Sequence, residues 1–272
     1  MATTIIDDIY SVEAGLRIWR ICHAGFLVKH KDVVIIFDPA MEVLNPADPY
    51  ISEHPRGLRL VKKLPFLARD LKTVDLVLVT HADEDHCGAI SLPILEPKTR
   101  VFVGPPETTS VMRARGIPYS KIRRAYFNEP IHYGDITIVP TIAEHHQPYG
   151  GACGFIVHTS SGSVWHPGDT PVIPAHYSEL VYQDIRVSYP HLELNKPPDV
   201  LLLPIARHVF GPEEGGRLAN KLCIPHVIPT HYGTYDSDGF AYGDVEAVTD
   251  YLDDHERRLH VLELGEMFHL RK

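Results

Sequence analysis

Thr80-His81-Ala82-Asp83-Glu84-Asp85-His86-Cys87-Gly88 follows an apolar run, residues 74–79, that reads as a buried strand. Four potential metal donors, His81, Asp83, Asp85 and His86, are thus packed into six residues at the C-terminal tip of one strand. On a tight strand-to-helix turn, side chains at i, i+2, i+4 and i+5 can point into one volume. Imidazole and carboxylate are the donors that hold divalent Zn, Mn or Fe. Neighbouring carboxylates repel unless a cation or hydrogen-bond donors compensate them. The competing reading is a capped turn, with Asp85 as N-cap of a helix starting near Cys87 and the rest solvated. Two histidines flanking the acids on one strand tip favour the metal.

Three later segments also end a strand in potential ligands. Residues 136–142 lead into Glu144-His145-His146, residues 164–166 into Gly168-Asp169-Thr170, and residues 227–230 into His231. A lone histidine at a strand end is usually a satisfied core or surface residue. Four strands in order, each followed by a ligand, make a shared pocket for two metals the better explanation. Spacing does not decide between the adjacent pair; His145 is favoured as donor with His146 second, and the other of the two would hydrogen-bond a ligand or substrate.

The rest of the chain bounds what such a pocket serves. At 272 residues, with 44% hydrophobic and 22% charged residues, it can bury a full core as a soluble globular protein. The first fifteen residues carry Asp7, Asp8 and Glu13 and lack the pattern of a secretory signal, and no stretch reaches membrane-spanning length. Four scattered cysteines without a Cys-x-x-Cys pair read as free thiols in a reducing compartment, so the expectation is cytoplasmic. A net charge of −9 argues against nucleic acid as a partner. The expected partner is a small-molecule substrate, with no membrane; self-association into a homo-oligomer is left open.

Strands are expected at 16–22, 26–30, 33–38, 74–80, 100–104, 123–127, 136–142, 154–158, 163–166, 199–205, 226–230 and 259–264. Helices are expected near 58–64, 87–95, from Pro212 onward and over 244–257. Proline-rich stretches near 42–72 and 171–198 read as insertions over the rim. Strands followed by strands alternating with helices suggest two sheets packed face to face with helices outside, in one domain spanning 1–272.

These motifs resemble the metallo-β-lactamase fold superfamily: Thr80–His86 matches its Thr-His-x-His-x-Asp-His signature, followed by a downstream His, Gly168–Thr170 and a late His231. Residues 22–28 and 35–39 look like its opening strands. Leu203-Pro204-Ile205, residues 228–233 and Leu264-Gly265-Glu266 look like its ascorbate-6-phosphate lactonase-like branch. The resemblance implies an α/β (α+β, four-layer) αββα sandwich of two mixed sheets. It also implies a hydrolase using a hydroxide that bridges two divalent metal ions (Zn, Mn or Fe). One metal would take His81, Asp83 and His145 or His146; the other Asp85, His86 and His231; Asp169 would bridge them. Asp38 would support rather than ligate. Asp85 would also be catalytic, orienting the hydroxide and shuttling a proton.

Asp83 stands where the family has a second histidine. With two divalent ions (+4) and three aspartates (−3) the site keeps +1 before hydroxide, where a histidine would leave +2, and its harder oxygen ligands favour Mn or Fe. Arg207, His208 and Tyr232 are candidate substrate contacts at the rim, Arg207 through bidentate recognition of phosphate or carboxylate. For Arg207 a surface salt bridge is an equal reading, and for Tyr232 simple packing is the other. The expected substrate is a small ester, lactone or phosphorylated sugar acid, with a small phosphodiester as runner-up. An iron-loaded redox enzyme and a non-catalytic metal-binding protein rank below these.

Overall fold

The computed structural model describes residues 4–54, 58–127, 129–143, 145, 151–170, 197–206, 209–236 and 243–271. The chain divides into two compact units: Met1–Arg124, Gly233–Phe240 and Leu262–Lys272 form the first, Ala125–Tyr232 and Ala241–Val261 the second. Each is built on one mixed sheet.

The first unit opens with helix α1 (Ile5–Ile9), closed by a capping box between Thr4 and Asp7. The strands are β1 (Leu16–Arg20), β2 (Phe26–His30), β3 (Val33–Phe37), β4 (Val43–Asn45), β5 (Asp48–Ser52), β6 (Val74–Leu78), β7 (Thr99–Gly104) and β8 (Ile122–Arg124). Helices α2 (Ser91–Leu95) and α3 (Pro106–Ala114) follow β6 and β7. The seven-stranded sheet begins with the C-terminal strand Met267–Leu270, then β1, β2, β3, β6, β7 and β8; β4 and β5 form a separate hairpin. Its β3-β6-β7-β8 part is parallel. Such strands are covered on both faces and read as near-continuous apolar runs, as Val33–Phe37 does. Leu92, Leu95 and Met112 from the helices pack with Trp19, Leu27, Ile36, Val77 and Phe102 in one core.

The register decides which strand ends share an edge. Arg20 pairs with Phe26, Phe26 with Phe37 and Phe37 with Leu78. With β2 antiparallel to both its neighbours, β1, β3 and β6 run the same way. The turn after β1, Asp38 after β3 and Thr80 after β6 therefore lie along one edge.

The second unit holds β9 (Ile131–Tyr133), β10 (Ile136–Ile142), β11 (Cys153–Thr159), β12 (Gly162–His166), β13 (Val200–Pro204) and β14 (His226–Thr230). Its helices are α4 (Gly211–Lys221), α5 (Val245–Thr249) and α6 (His255–Arg258). The sheet order is β14-β13-β12-β11-β10-β9, with β12, β13 and β14 parallel. Pro140 pairs with Phe155 and Phe155 with His166, so β10 runs with β12 and all four strands end on one edge. Helix α4 packs closely because Gly215 lacks a Cβ: one placed there would meet a Leu203 methyl at 2.5 Å.

Several expected elements differ. Among the described residues of 58–64 there is no helix; the first insertion instead carries the β4–β5 hairpin and a 3-10 turn at Ala68–Asp70. The helix expected over 87–95 is only Ser91–Leu95, because His86 and Cys87 donate their N–H groups to the Asp83 carbonyl and residues 82–90 stay in turns. The helix expected over 244–257 breaks into α5 and α6 around Asp254, which takes the left-handed conformation at φ 50°. The strand near 123–127 is shorter, Ile122–Arg124. The last strand is Met267–Leu270 rather than 259–264; the Leu262 carbonyl accepts from Arg20 instead of joining a ladder. His30, although it lies between Lys29 and Lys31, is fully buried at the end of β2. Most of the second insertion, residues 171–196, lies outside the described residues. Among the described residues no helix is long and apolar enough to cross a membrane.

At the far edge of the second sheet, His226 Nδ1 and His260 Nε2 lie 3.0 Å apart. Burial lowers the pKa of both from 6.5; the Asp199 charge partly restores that of His226, and a charge on His226 lowers that of His260 further. A histidine with a depressed folded pKa binds protons preferentially in the unfolded chain. Its contribution to stability is complete above about pH 6.5 and lost as pH falls through the folded value. The urea midpoint of chelator-treated protein should fall between pH 7 and pH 5, and His260→Gln should flatten that fall. An identical slope in the variant would locate the sensitivity elsewhere.

Candidate metal centre

In the first unit the donors sit on a turn with almost no regular structure, so carboxylates from elsewhere hold it. Asp38 follows β3, is fully buried and adopts φ 46°. Its carboxylate accepts from the Thr80 N–H (2.7 Å) and the Thr80 hydroxyl (2.8 Å), and lies 2.8 Å from His86 Nδ1. His86 Nε2 is then left facing Asp85, 3.8 Å from its carboxylate. Thr80 Oγ1 also lies 3.0 Å from His81 Nδ1, and His81 Nε2 faces Asp83 at 3.7 Å. The two imidazole rings are 4.0 Å apart between centroids. Asp83 is the exposed member of this set; its side chain keeps 55% of its accessible surface.

Glu53 fixes the far end of the turn. It accepts from the N–H groups of Glu42 (2.9 Å), Ile90 (2.7 Å) and Ser91 (3.0 Å), and from the Ser91 hydroxyl. Burial raises its pKa, and these hydrogen bonds pull it back. Gly88 is needed here: a Cβ would lie 2.5 Å from the Pro39 carbonyl and 2.7 Å from Glu53.

In the second unit the donors are His145, Asp169 and His231, each beyond the C-terminal end of one of the co-directional strands. His231 is fully buried with φ 65°, a left-handed conformation that is costly for a residue with a Cβ and recurs where function demands it. Its Nδ1 lies 2.8 Å from the Thr230 hydroxyl and its Nε2 3.0 Å from Asp169. Donor atoms of His145 and Asp169 lie within 4.8 Å of one another. His166, at the end of β12, is buried, and its Nδ1 accepts from the Gly168 N–H at 3.1 Å.

Within each unit the structure thus gathers the expected residues: His81, Asp83, Asp85, His86 and Asp38 in the first, His145, Asp169 and His231 in the second. Tyr232 is partly buried and packs against the core of the second unit. His146, Arg207 and His208, together with His176, Tyr177 and His191, lie outside the described residues. Three residues escaped sequence reasoning. His23, in the turn after β1, places a ring nitrogen within 4.8 Å of an Asp85 oxygen. Tyr235 stacks on His23 with centroids 5.0 Å apart, and His54 meets Tyr235 edge-on at 6.0 Å. For His23 the signal is a histidine just past the strand expected over 16–22. For Tyr235 and His54 there was none. Burial raises the Tyr235 pKa well above 10, and the Asp85 charge adds to the rise.

The donor set fits a divalent cation. His81, His86 and His231 each hold Nδ1 against a hydroxyl or carboxylate and turn Nε2 toward an aspartate, the orientation that outer-shell partners impose on metal-binding histidines.

The family described as the beta-lactamase superfamily domain matches residues 35–232. A UPF0173 metal-dependent hydrolase of Pyrococcus furiosus is 29% identical over 220 residues, 78% of this chain and 83% of the relative. Among solved structures, the metallo hydrolase Igni18 of Ignicoccus hospitalis aligns over 94% of this chain and 98% of its own, at TM-score 0.67 and 22% identity. An isothiocyanate hydrolase from Delia radicum gut bacteria aligns over 94% and 100%, at TM-score 0.69 and 18% identity. The fold class is therefore the expected α/β sandwich of this superfamily, with two mixed sheets and flanking helices.

Removing Asp38 would leave His86 and Thr80 buried without their acceptor. Asp38→Ala should destabilise the chelator-treated protein by about 1–3 kcal/mol, since removing the acceptor leaves buried hydrogen-bond donors unsatisfied. Urea unfolding of the two proteins side by side measures this; a difference below about 1 kcal/mol would mean that the network contributes little net stability.

Proposed function

Belonging to the beta-lactamase superfamily domain family, this chain is a metal-dependent hydrolase of the metallo-β-lactamase superfamily, and we propose that its two donor sets serve one centre holding two divalent ions. His81, Asp83 and His145 hold the first in this reading, Asp85, His86 and His231 the second, and Asp169 is shared. The observation that carries the proposal is the common orientation of His81, His86 and His231, Nδ1 anchored and Nε2 facing an aspartate. When bound, such ions polarise the scissile group and lower the pKa of water from 15.7 to about 7.

The chain's own residues supply orientation and proton handling. Asp38 keeps His86 in one tautomer and one rotamer, so Nε2 does not have to be oriented on binding. Asp85 stands beside His86 with a carboxylate oxygen able to accept a proton from the attacking water and return it to the leaving group. Asp83, a carboxylate in place of histidine, lowers the positive charge of the centre and inclines it toward Mn or Fe over Zn.

The substrate is a small ester, lactone or phosphorylated sugar acid. Support for this comes from the likeness of residues 203–205, 228–233 and 264–266 to the ascorbate-6-phosphate lactonase-like branch, and from Arg207, whose guanidinium suits a phosphate or carboxylate. A small phosphodiester is the second reading, because the same donors serve either electrophile.

His86→Ala and His231→Ala should each abolish turnover and lower the metal content measured by elemental analysis; full activity in either would remove these residues from the centre. A panel of lactones and esters set against bis(p-nitrophenyl) phosphate separates the two substrate readings, and faster phosphodiester turnover would overturn the first. After expression in mixed-metal medium, Mn or Fe should be retained alongside Zn. Exclusive, tight Zn occupancy would refute the proposed metal preference.

A further inference from the structure

The edge that carries Asp38 and Thr80 carries a third group. β1 runs parallel to β3 and β6, so the turn closing β1 projects beyond the same edge as the metal turn. That turn is held tightly. The Ile21 and Cys22 N–H groups both donate to the Gly25 carbonyl, at 3.0 and 3.3 Å. A Cβ on Gly25 would meet the Asp38 carbonyl oxygen at 2.8 Å, so only glycine lets the turn lie against the Asp38 backbone. His23 at its centre is 1% exposed.

One side of the His23 ring is backed by Tyr235, whose chain neighbours on either side are held by hydrogen bonds. The Val61 N–H donates to the Thr234 carbonyl at 2.9 Å, the Asp236 N–H to the Arg59 carbonyl at 2.7 Å, and Arg20 Nη2 to the Thr234 hydroxyl at 2.9 Å. Tyr235 is itself buried, at 3% exposure. A His23 ring nitrogen stands within 4.8 Å of an Asp85 carboxylate oxygen; two donors on one ion at about 2.0–2.2 Å lie at most about 4.4 Å apart, so even at that outer limit the ring and the carboxylate need close by only a few tenths of an ångström on binding.

We propose that His23 is an additional ligand of the ion held by Asp85, a role beyond the family's donor pattern. The inference rests on the dinuclear reading above and deepens it. With His23, the Asp85 ion gains a donor beyond those the family supplies and exceeds the tetrahedral number that structural Zn prefers. A higher coordination number points in the same direction as the harder oxygen donor at Asp83, toward Mn or Fe.

The full-length protein, stripped with chelator and titrated with Mn²⁺ by calorimetry, tests this without any assay of turnover. Wild type should take up two equivalents. His23→Gln should weaken one of them by at least about tenfold and leave the other within twofold. The visible spectrum of the Co²⁺-loaded protein should change in the same variant. In His23→Gly, added imidazole should restore tight uptake; a ring that merely filled space would not be replaced in this way, so absence of rescue overturns the proposal. Two equivalents bound by His23→Gln with wild-type affinities and an unchanged Co²⁺ spectrum would also overturn it, while leaving the dinuclear reading intact. A wild type that binds no Mn²⁺ would overturn both.

Discussion

The buried carboxylate of Asp38 is the constraint on which the first unit's site depends. An ionised carboxyl out of water is tolerated only when donors replace its hydration, and here the Thr80 amide, the Thr80 hydroxyl and the His86 ring do so. Those same donors belong to the end of β6 and to the metal turn. Satisfying the charge and locating the turn are therefore one event. Glu53 repeats the device at Ile90 and Ser91. Residues 82–90, with almost no helix or ladder of their own, are clamped at both ends by acids that arrive from β3 and from the hairpin.

Strand direction does the remaining positioning. In each sheet, strands of one polarity deliver their C-terminal ends to a single edge, where open α/β sheets characteristically hold their ligands. In the first unit this edge collects His23, Asp38 and the Thr80–Gly88 turn; in the second it collects His145, Asp169 and His231. Antiparallel neighbours such as β2 and β11 return the chain to the opposite edge and carry no donor of the proposed centre. The left-handed backbone of Asp38 and of His231 lies just past two of these ends. There the chain must leave the sheet sharply while its side chain stays buried against the next strand.

Much of this was legible before the structure, for identifiable reasons. β10 and β14 have the bounds the sequence implied, since continuous β-branched runs ended by turn residues leave few alternatives. The donors were legible because each follows such a run. Elements whose shape depends on distant partners were not. Residues 87–90 lead into α2, but the Glu53 carboxylate and the close packing of Gly88 hold them open. The 244–257 stretch is broken where Arg258 collects the carbonyls of Ala219, Ile224 and Asp253, anchoring α6 to the end of α4. The C-terminal strand moved because Arg20, buried in β1, takes the Leu262 carbonyl. His23 was missed for the same reason: nothing local says that β1 is in register with β3 and β6.

The departure at Asp83 falls where it disturbs the network least. A carboxylate at the position of His86 would lie against Asp38 with no water to screen the pair, and one of the two would have to take a proton. At the position of His81 it would set a second carboxylate on the same side as Asp83 and lose the Thr80 contact that orients the ring. Asp83 itself is largely exposed, so its charge is screened and its removal from water costs little until a cation arrives. Histidine can thus be exchanged for aspartate at this one position without rebuilding the carboxylate clamps beneath it. The exchange alters the charge of the bound state more than the stability of the free protein.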